Sequence, residues 1–518
     1  ISPSPPLFMA TTTETIPSNI MITAASPPVQ HQLMKCQTRS CLEEIEFTLP
    51  PNHHEKIDWI DTSIRPFKLF ADTYGIHPID DATQTTSKYF TMTSLCHANL
   101  RKATTELHSM FTQATEYVLS HPEFWSYFGF PQQFWPLAMK SFQRGDKNLS
   151  GRFDFALSSD YGIKCYEYNA DSASCLIECA HTQNAWSTVM NLNSHGVDGG
   201  IGAAKRVTTA WSKLFSTPNT LVHFLFDNTD REECVHTAYV IYLAEQAGIR
   251  CKEVPHVNGF EFNNEGMIVD AEGEVIQHVW KSWNYTTLLE ILEKEGPLHH
   301  TSGEVVRLID ICFHEQISIL EPLWSAIPSN KAILPILTKL FPESPYLLYS
   351  SFTLNDQLIQ NGYCSKPVLG RGGQNIAIHY PSSLTSEIVI DEKDPNYVLQ
   401  DINETATQQL QQTQGDGGDT SASASAAAAD TIPHDLTTLV VAPGKFSESP
   451  TVYQELAILP KFNGLYTQIN TFTAYGHYAG TVIRVEPSAI VGYNSNVFVL
   501  RVIDDESGTP LPNDEIEF

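Results

Sequence analysis

The sequence has little positive charge and no long apolar run. Its 31 Lys and Arg residues face 59 Asp and Glu residues, which gives a formal net charge of −28. Nucleic acids and anionic membrane surfaces are bound by concentrated Lys and Arg, so this balance argues against both as main partners. No apolar run approaches the roughly 20 residues that a spanning helix needs, which excludes an integral membrane protein. Cationic ligands, or anionic ligands bridged by metal ions, fit this composition better.

Cysteine motifs are also absent. The ten cysteines are scattered, with no C-x-x-C pair and no cluster of His and Cys at zinc-binding spacing. Ten cysteines in 518 residues do not make a disulfide framework, so we expect reduced thiols and a cytoplasmic protein. The N-terminal segment lacks the basic and apolar regions of a secretory signal.

Three segments are set apart by their composition. Residues 1–45 are rich in Ser, Thr and Pro, and residues 403–435 contain runs of Gln, Gly, Ser and Ala. Such runs lack the bulky side chains that offset the entropy of ordering, which predicts a disordered tail and a low-complexity insertion. Residues 501–518 are predicted to form an acidic C-terminal tail. The folded domain is therefore expected at residues 46–500.

Helical and strand patterns are mixed along that domain. Apolar residues recur at helical spacing over residues 100–119, which predicts a helix that faces the core. Residues 220–226 are typical of a buried strand, and Asp230 is placed to cap a helix over residues 231–247. Short strand-like runs alternate with Gly over residues 453–499, as in an antiparallel sheet. The chain is thus predicted to be a mixed α/β protein with a strand-rich C-terminal lobe.

The most informative segment is a predicted β-hairpin. The turn residues 160–162 separate two alternating runs, of which the first carries Arg152 and Asp154 and the second carries Glu167 and Asn169. Because strand side chains alternate between faces, each pair shares one face of its strand. If the two faces coincide, one surface presents a guanidinium and three oxygen donors of the kind that Mg²⁺ prefers. An exposed hairpin face with cross-strand charge pairs is the alternative.

Two further segments are typical of anion binding but also have simpler explanations. Ser172 and Ser174 precede a helical run, where a serine usually caps the helix, although the same helix N-terminus could receive a carboxylate or a phosphate. The Gly-rich residues 370–373 follow Lys366, and such a loop lets backbone N–H groups approach phosphates. Gly-rich surface turns are common, so the loop alone is a weak signal.

Three further charged residues, Lys331, Glu232 and Glu233, could have either a structural role or a role in ligand binding. Lys331 has the pattern of a solvated lysine at a helix start. Two Glu residues at a helix N-terminus usually complement the helix dipole and less often bind a ligand.

Taken together, these segments resemble the synthetase domain of the glutathionylspermidine synthase family, to which the trypanothione synthetases are related. The residues that carry the resemblance are 152–155 (RFDF), 166–175 (YEYNADSASC), 279–283 (VWKSW), 304–310 (EVVRLID), 321–324 (EPLW), 327–336 (IPSNKAILPI), 459–461 (LPK) and 471–473 (TFT). Motifs of this length and order are specific for the family and less specific for the substrate.

The resemblance implies an ATP-grasp-like fold of the carbon–nitrogen ligases, in which ATP lies between two α+β lobes. It implies a ligase that uses ATP and two Mg²⁺ ions to join the glycine carboxylate of glutathione to an amine of spermidine through an acyl phosphate. A related ligase with another amine acceptor or peptide donor stays open, as does a catalytically silent nucleotide-binding homologue. The expected partners are small-molecule substrates rather than nucleic acid or membrane, and association into a homodimer is left open.

The resemblance also assigns roles to residues. Arg152 would be catalytic by stabilising charge on the transferred phosphoryl group, and Asp154, Glu167 and Asn169 would hold the metal ions. The ATP-binding set would be Arg152, Phe153, Asp154, Lys331, Lys366, Gly372, Gly373, Gln454, Glu455, Leu456, Ala457, Gln468, Ala489, Ile490 and Val491. The glutathione-binding set would be Arg152, Ser172, Ser174, Thr287, Arg371 and Arg484. The polyamine-binding set would be Glu232, Glu233 and Asn496.

The chain departs from the family pattern in ways that bear on activity. Family members often carry an N-terminal amidase, and the synthetase match here begins soon after the tail, so we expect a synthetase without the amidase. Asn496 stands where the family has Asp, which removes a negative charge that would pair with an ammonium. Thr286 likewise replaces an acidic residue. These changes bear on the amine substrate more than on ATP or glutathione.

Overall fold

A computed structural model describes residues 40–51, 53, 59–75, 83–158, 162–381, 394–398, 436–493 and 495–505. The predicted insertion at residues 403–435 lies outside this set, as do most residues of both predicted tails. The tail boundaries differ from the prediction, because residues 42–45 belong to the first strand and residues 501–503 belong to the last one.

The helices and strands are numbered here in chain order. The helices are α1 (Arg65–Tyr74), α2 (Ser94–Ser120), α3 (Phe134–Gln143), α4 (Gln183–Val189), α5 (Ala203–Leu214), α6 (Arg231–Gln246), α7 (Tyr285–Glu295), α8 (Leu308–Cys312), α9 (Ala326–Ser329), α10 (Ile333–Leu340) and α11 (Asp356–Asn361). The strands are β1 (Leu42–Thr48), β2 (Thr86–Thr93), β3 (Ser150–Leu157), β4 (Ile163–Asn169), β5 (Val197–Asp198), β6 (Leu221–Leu225), β7 (Arg250–Val254), β8 (Glu261–Phe262), β9 (Ile268–Val269), β10 (His278–Lys281), β11 (Ser318–Leu320), β12 (Ser350–Ser351), β13 (Tyr363–Pro367), β14 (Ala377–Pro381), β15 (Tyr397–Val398), β16 (Leu436–Val441), β17 (Thr451–Glu455), β18 (Lys461–Phe462), β19 (Leu465–Ala474), β20 (His477–Glu486), β21 (Asn496–Phe498) and β22 (Leu500–Ile503).

A parallel sheet in the order β11–β10–β6–β7 positions the start of α6. Its strand β6 is the predicted strand, and the buried Val222 of β6 shares a core with Val235 of α6. Asp230 caps α6, because its carboxylate accepts hydrogen bonds from the backbone N–H groups of Glu232 (2.8 Å) and Glu233 (3.3 Å). The predicted strand, cap and helix are confirmed.

An antiparallel sheet in the order β21–β20–β19–β3–β4 contains the two paired strands of the predicted hairpin, while residues 160 and 161 of its predicted turn lie outside the described residues. The predicted helix is confirmed as α2, whose Phe111 contacts the rings of Phe153 and Tyr168 with centroids 5.5 Å away in each case. Phe153 and Tyr168 stack on each other with centroids 3.9 Å apart. Because strand side chains alternate, this core leaves the opposite face of β3 and β4 to their charged residues.

A second antiparallel sheet has the order β12–β17–β13–β14–β16–β15. Its strands come from the part of the chain between Ser350 and Glu455. The remaining strands form a sheet in the order β1–β2–β22–β5 and the hairpin β8–β9, while β18 pairs with β19. The expected mixed α/β class with a strand-rich C-terminal part is confirmed.

The nine cysteines within the described residues are free thiols. In the same residues, no helix combines the length and the apolar character needed to cross a membrane.

Candidate active site

A cavity of about 630 Å³ lies between the two antiparallel sheets. One wall comes from β3, β4, β19 and β20, the other wall comes from β13 and the loop of residues 370–373, and one end is closed by the start of α6. Charged side chains from β3, β4, β13, β20, the loop and the start of α6 line it, so we treat it as the candidate active site.

The hairpin places four predicted residues on one face of this cavity. In the register of β3 with β4, Arg152 lies opposite Asn169 and Asp154 lies opposite Glu167. Arg152 Nε donates a hydrogen bond to Asp154 Oδ1 over 2.8 Å, and Arg152 Nη2 donates to Oδ2 over 3.2 Å. Burial disfavours the charged guanidinium, but Asp154 outweighs burial and raises the pKa of Arg152. The alternative of an exposed hairpin face is wrong, since Arg152 and Asp154 are 6% and 3% exposed.

Two buried lysines face the hairpin. Lys331 Nζ lies 2.8 Å from Glu167 Oε2 and donates to the Gly370 carbonyl over 2.7 Å. Lys366 on β13 donates to Gln454 Oε1 over 2.5 Å, and burial lowers the pKa of Lys366. Burial would raise the pKa of Glu167, but the two lysines outweigh burial and hold that pKa below its usual range. Lys331 is 5% exposed, so the alternative of a solvated lysine is wrong.

Oxygen donors for a metal ion are present on the same face. Asp154 is oriented by Asn470, whose Nδ2 donates to Asp154 Oδ1 over 2.8 Å. Asn470 Oδ1 and Asn169 Nδ2 are buried without a hydrogen-bond partner among the described residues. The described part of the chain has no group of three or more His, Cys, Asp and Glu that could hold a metal ion. A metal ion here would therefore rest on two carboxylates, amide oxygens and ligand oxygens, a set that suits Mg²⁺.

The Gly-rich loop has a backbone that only glycine adopts readily. Gly372 and Gly373 have φ angles of +56° and +75°. A Cβ atom at Gly372 would lie 1.9 Å from Cε2 of Tyr493, so the tyrosine ring covers the glycine directly. Both glycines line the cavity, with their N–H groups in a loop that can approach a phosphate.

Arg371 ties this loop to the start of α7. Its Nη1 donates to Asn284 Oδ1 over 2.7 Å and also to the hydroxyl of Thr287. Asn284 is the N-cap of α7, because its Oδ1 also accepts from the Thr287 N–H over 2.9 Å. One amide oxygen thus holds both the helix end and the loop.

The remaining residues predicted to bind glutathione line the same cavity. Ser172 donates to the Ser282 carbonyl over 3.2 Å, and Ser174 Oγ accepts from Arg152 Nη1 over 2.9 Å. Arg484 on β20 donates through Nε to Ser495 Oγ over 2.7 Å. Ser174 therefore supports Arg152 directly, whereas Ser172 is bound to the segment that follows β10.

The predicted ATP-binding residues divide into two groups. Those that line the cavity, besides the residues described above, are Leu456, Ala457, Gln468, Ala489, Ile490 and Val491. Phe153 is fully buried in the core beneath the sheet. Gln454 supports Lys366, and Glu455 accepts a hydrogen bond from Asn361 Nδ2 over 2.8 Å. Phe153, Gln454 and Glu455 do not line the cavity.

The end of the cavity at α6 is acidic. Glu232 and Glu233 line it, and the Glu232 carboxylate interacts with the phenol of Tyr74. Burial raises the pKa of Glu233 to about 7, although a hydrogen bond with Ser282 opposes this rise. Asn496 is exposed on β21 and does not line the cavity, whereas its neighbours Ser495 and Val497 do.

Some cavity residues were not singled out by the sequence patterns. Tyr74, Glu178 and Asp227 line the acidic end together with Glu232 and Glu233. Tyr74 and Asp227 come from distant segments that only the tertiary fold brings together.

These features define the class of protein: a mixed α/β chain with a charged cavity between two antiparallel sheets. The sequence profile described as glutathionylspermidine synthase preATP-grasp matches residues 72–418. The chain belongs to this family.

Relatives with assigned names fall in the same group. The chain is 32% identical over 425 residues to the bifunctional glutathionylspermidine synthetase/amidase of Escherichia coli strain K12. This alignment covers 80% of this chain and 59% of the bacterial protein. The chain is 29% identical over 503 residues to the trypanothione synthetase of Crithidia fasciculata, covering 95% of this chain and 68% of the relative. It is 31% identical over 437 residues to the glutathionylspermidine synthase of the same organism, and that alignment covers 78% of this chain and 57% of the relative. The chain therefore spans about 59% of the length of the bacterial relative.

Proposed function

We propose that this protein is an ATP- and Mg²⁺-dependent ligase that forms an amide between the glycine carboxylate of glutathione and an amine of spermidine. The observation that carries the proposal is one cavity with two ends of opposite character. Arg152, Lys331 and Lys366 face one end, and Glu232 and Glu233 face the other. Relatives named for glutathionylspermidine and trypanothione synthesis support the same substrate classes.

The basic end suits the phosphates of ATP. Lys331 and Lys366 are buried, so their charges are little screened and act strongly on a phosphate placed between them. Asp154, Glu167 and Asn169 are the residues that would hold Mg²⁺, which would neutralise phosphate charge and orient the triphosphate. The N–H groups of Gly372 and Gly373 would close over the same phosphates.

Arg152 is placed for phosphoryl transfer. A carboxylate is a poor acyl donor, so the glutathione carboxylate must first take the γ-phosphoryl group and become an acyl phosphate. Such transfers are catalysed mainly by positioning and by charge stabilisation. Arg152 is held rigidly by Asp154 and Ser174, and this preorganisation lets it stabilise developing charge without rearranging.

The acidic end suits a polyamine. Several carboxylates in a partly enclosed cavity favour an extended cation over an anion or a neutral amine. A different amine acceptor is the second candidate, and the position of Asn496 favours it, because this neutral residue lies off the cavity where the family pattern has an acid.

The test is a conjugation assay with the full chain, ATP, Mg²⁺, glutathione and a panel of amines, in which ADP release and the mass of the product are followed. We expect a product of glutathione plus spermidine, formed only when ATP and Mg²⁺ are both present. A product with another amine, preferred by about tenfold or more, would replace spermidine as the acceptor. ATP binding without ADP release for any amine would overturn ligase activity altogether.

A further inference from the structure

Glu178 lies where the two ends of the cavity meet. It lies four residues after Ser174, the residue whose side chain contacts Arg152, and it begins a short π-helical turn, Glu178–Thr182. Its side chain lines the cavity together with Arg152 and Arg484 on one side and Glu232 on the other.

The Glu178 carboxylate has an oxygen available for a ligand. Its Oε2 atom is buried and has no hydrogen-bond partner among the described residues. The neighbouring carboxylates differ, because Glu232 interacts with Tyr74 and Glu233 bonds to Ser282. An unpartnered acidic oxygen in a polar cavity is costly, and that cost is removed when a donor from a substrate reaches it.

The groups around Glu178 act on its pKa in opposite directions. Burial raises its pKa to about 7 and Glu232 adds to this rise, while Arg152 and Arg484 oppose it. The titratable and charged groups that act on it from the surrounding elements are Tyr74, Arg152, Cys175, Cys179, Glu232, Tyr239 and Arg484. A group balanced in this way can accept a proton and release it again near neutral pH.

We propose that Glu178 binds the attacking nitrogen of the polyamine and removes its proton, an inference that rests on the proposed function. An amine enters as an ammonium, R–NH₃⁺, which has no lone pair for attack. The Glu178 carboxylate takes one proton and becomes a carboxylic acid, and the freed lone pair forms the C–N bond at the acyl phosphate carbon. The C–O bond to phosphate breaks, and the departing phosphate takes the second proton from nitrogen, which leaves the amide.

The test compares spermidine with hydroxylamine as acceptors for the same acyl phosphate. Hydroxylamine is largely uncharged near neutral pH, so it attacks without a base and gives a hydroxamate. Glu178→Gln is expected to lower kcat with spermidine by about 10²-fold while hydroxamate formation stays within about threefold of the unaltered protein. Glu178→Asp should restore part of the spermidine rate. Glu116→Gln, which changes an exposed carboxylate on α2, is the matched control and should leave both rates unchanged.

The pH profile gives a second readout. With spermidine, the rate of the unaltered protein should fall as pH drops below about 7, and this acidic limb should disappear in Glu178→Gln. The inference is overturned if Glu178→Gln keeps the spermidine rate, or if it loses hydroxamate formation in parallel with conjugation. An unaltered protein that makes hydroxamate but no polyamine conjugate would instead overturn the proposed function.

Discussion

Arg152 and Asp154 are buried as a bidentate pair, so each residue supplies the counter-charge of the other. Removing one partner of such a pair leaves a buried charge uncompensated and typically costs about 3–5 kcal/mol. The same arginine faces the cavity where phosphate charge would develop. A substitution at Arg152 therefore changes stability and catalysis together, unless the new side chain keeps the positive charge.

Arg152→Lys is expected to fold and to lose about 10²–10³-fold in kcat, because lysine keeps the charge but not the planar, two-pronged donor geometry. Arg152→Ala should give no measurable turnover and a lower unfolding temperature. ADP release with glutathione and spermidine measures the first effect, and thermal unfolding measures the second. Arg250→Lys, in an exposed pair with Glu274, is the control and should change neither. Near-normal ADP release from Arg152→Ala would contradict the catalytic role.

At the scale of elements, the loop of residues 370–373 and helix α7 are joined through one amide. Asn284 caps α7 and accepts a hydrogen bond from Arg371. Asn355 caps α11 in the same way, through a hydrogen bond from the Leu358 N–H over 3.2 Å, but it does not line the cavity. Comparing substitutions at the two caps therefore separates the loss of a helix cap, which lowers stability, from the release of the loop, which changes substrate binding.

Asn284→Ala and Asn355→Ala are each expected to lower the free energy of unfolding by about 1 kcal/mol, as the loss of a cap usually does. Only Asn284→Ala should also raise the KM for glutathione, because it releases Arg371 from its position beside Thr287. Chemical denaturation and steady-state kinetics on the two variants make the comparison. Equal KM values for both variants would show that the link between α7 and the loop has no part in substrate binding.

Gly372→Ala tests the loop itself. Alanine at position 372 would have to adopt a positive φ, which is unfavourable for a residue with a side chain. Its Cβ would also collide with the ring of Tyr493, so the loop must move away from its present position. Gly273→Ala is the matched control, since Gly273 has a φ of +85° but open space around it. We expect both variants to lose stability and only Gly372→Ala to bind ATP more weakly, measured by calorimetry. Unchanged ATP affinity in Gly372→Ala would argue against a phosphate role for the loop.

Elements with a local signal could be predicted from the sequence, and contacts between distant segments could not. The apolar spacing of α2 and the cap at Asp230 are encoded within a few residues, and the period of two along β3 and β4 fixes which side chains share a face. The pairing of Lys331 with Glu167 depends on how α9 packs against β4, so the lysine looked solvated in the sequence. Tyr74 meets Glu232 for the same reason, because α1 packs on α6 only in the folded chain.

At the scale of the whole molecule, the net charge of −28 is not a uniform property. Within the cavity, Arg152, Lys331 and Lys366 lie with Asp154 and Glu167 at one end, whereas carboxylates such as Glu232 and Glu233 lie next to one another at the end at α6. Burial disfavours the ionised carboxylates at the acidic end, because it raises the pKa of both Glu178 and Glu233 to about 7. A bound polycation would favour the ionised carboxylates, so polyamine binding, protonation and stability should be linked.

This linkage gives a pH dependence of defined sign. A carboxyl whose pKa rises from 4.5 to about 7 on folding binds more protons in the native state over that interval. Its contribution to stability is therefore full below about pH 4.5 and is lost as the pH rises through about 7.

Spermidine needs the ionised carboxylates, so it should raise the unfolding temperature more at about pH 8 than at about pH 6, by mass action on the native state. Calorimetric scans at constant ionic strength measure this difference, which should shrink in Glu233→Gln and persist in Glu116→Gln. A stabilisation by spermidine that is equal at both pH values, or larger at the lower one, would place the polyamine away from Glu178 and Glu233.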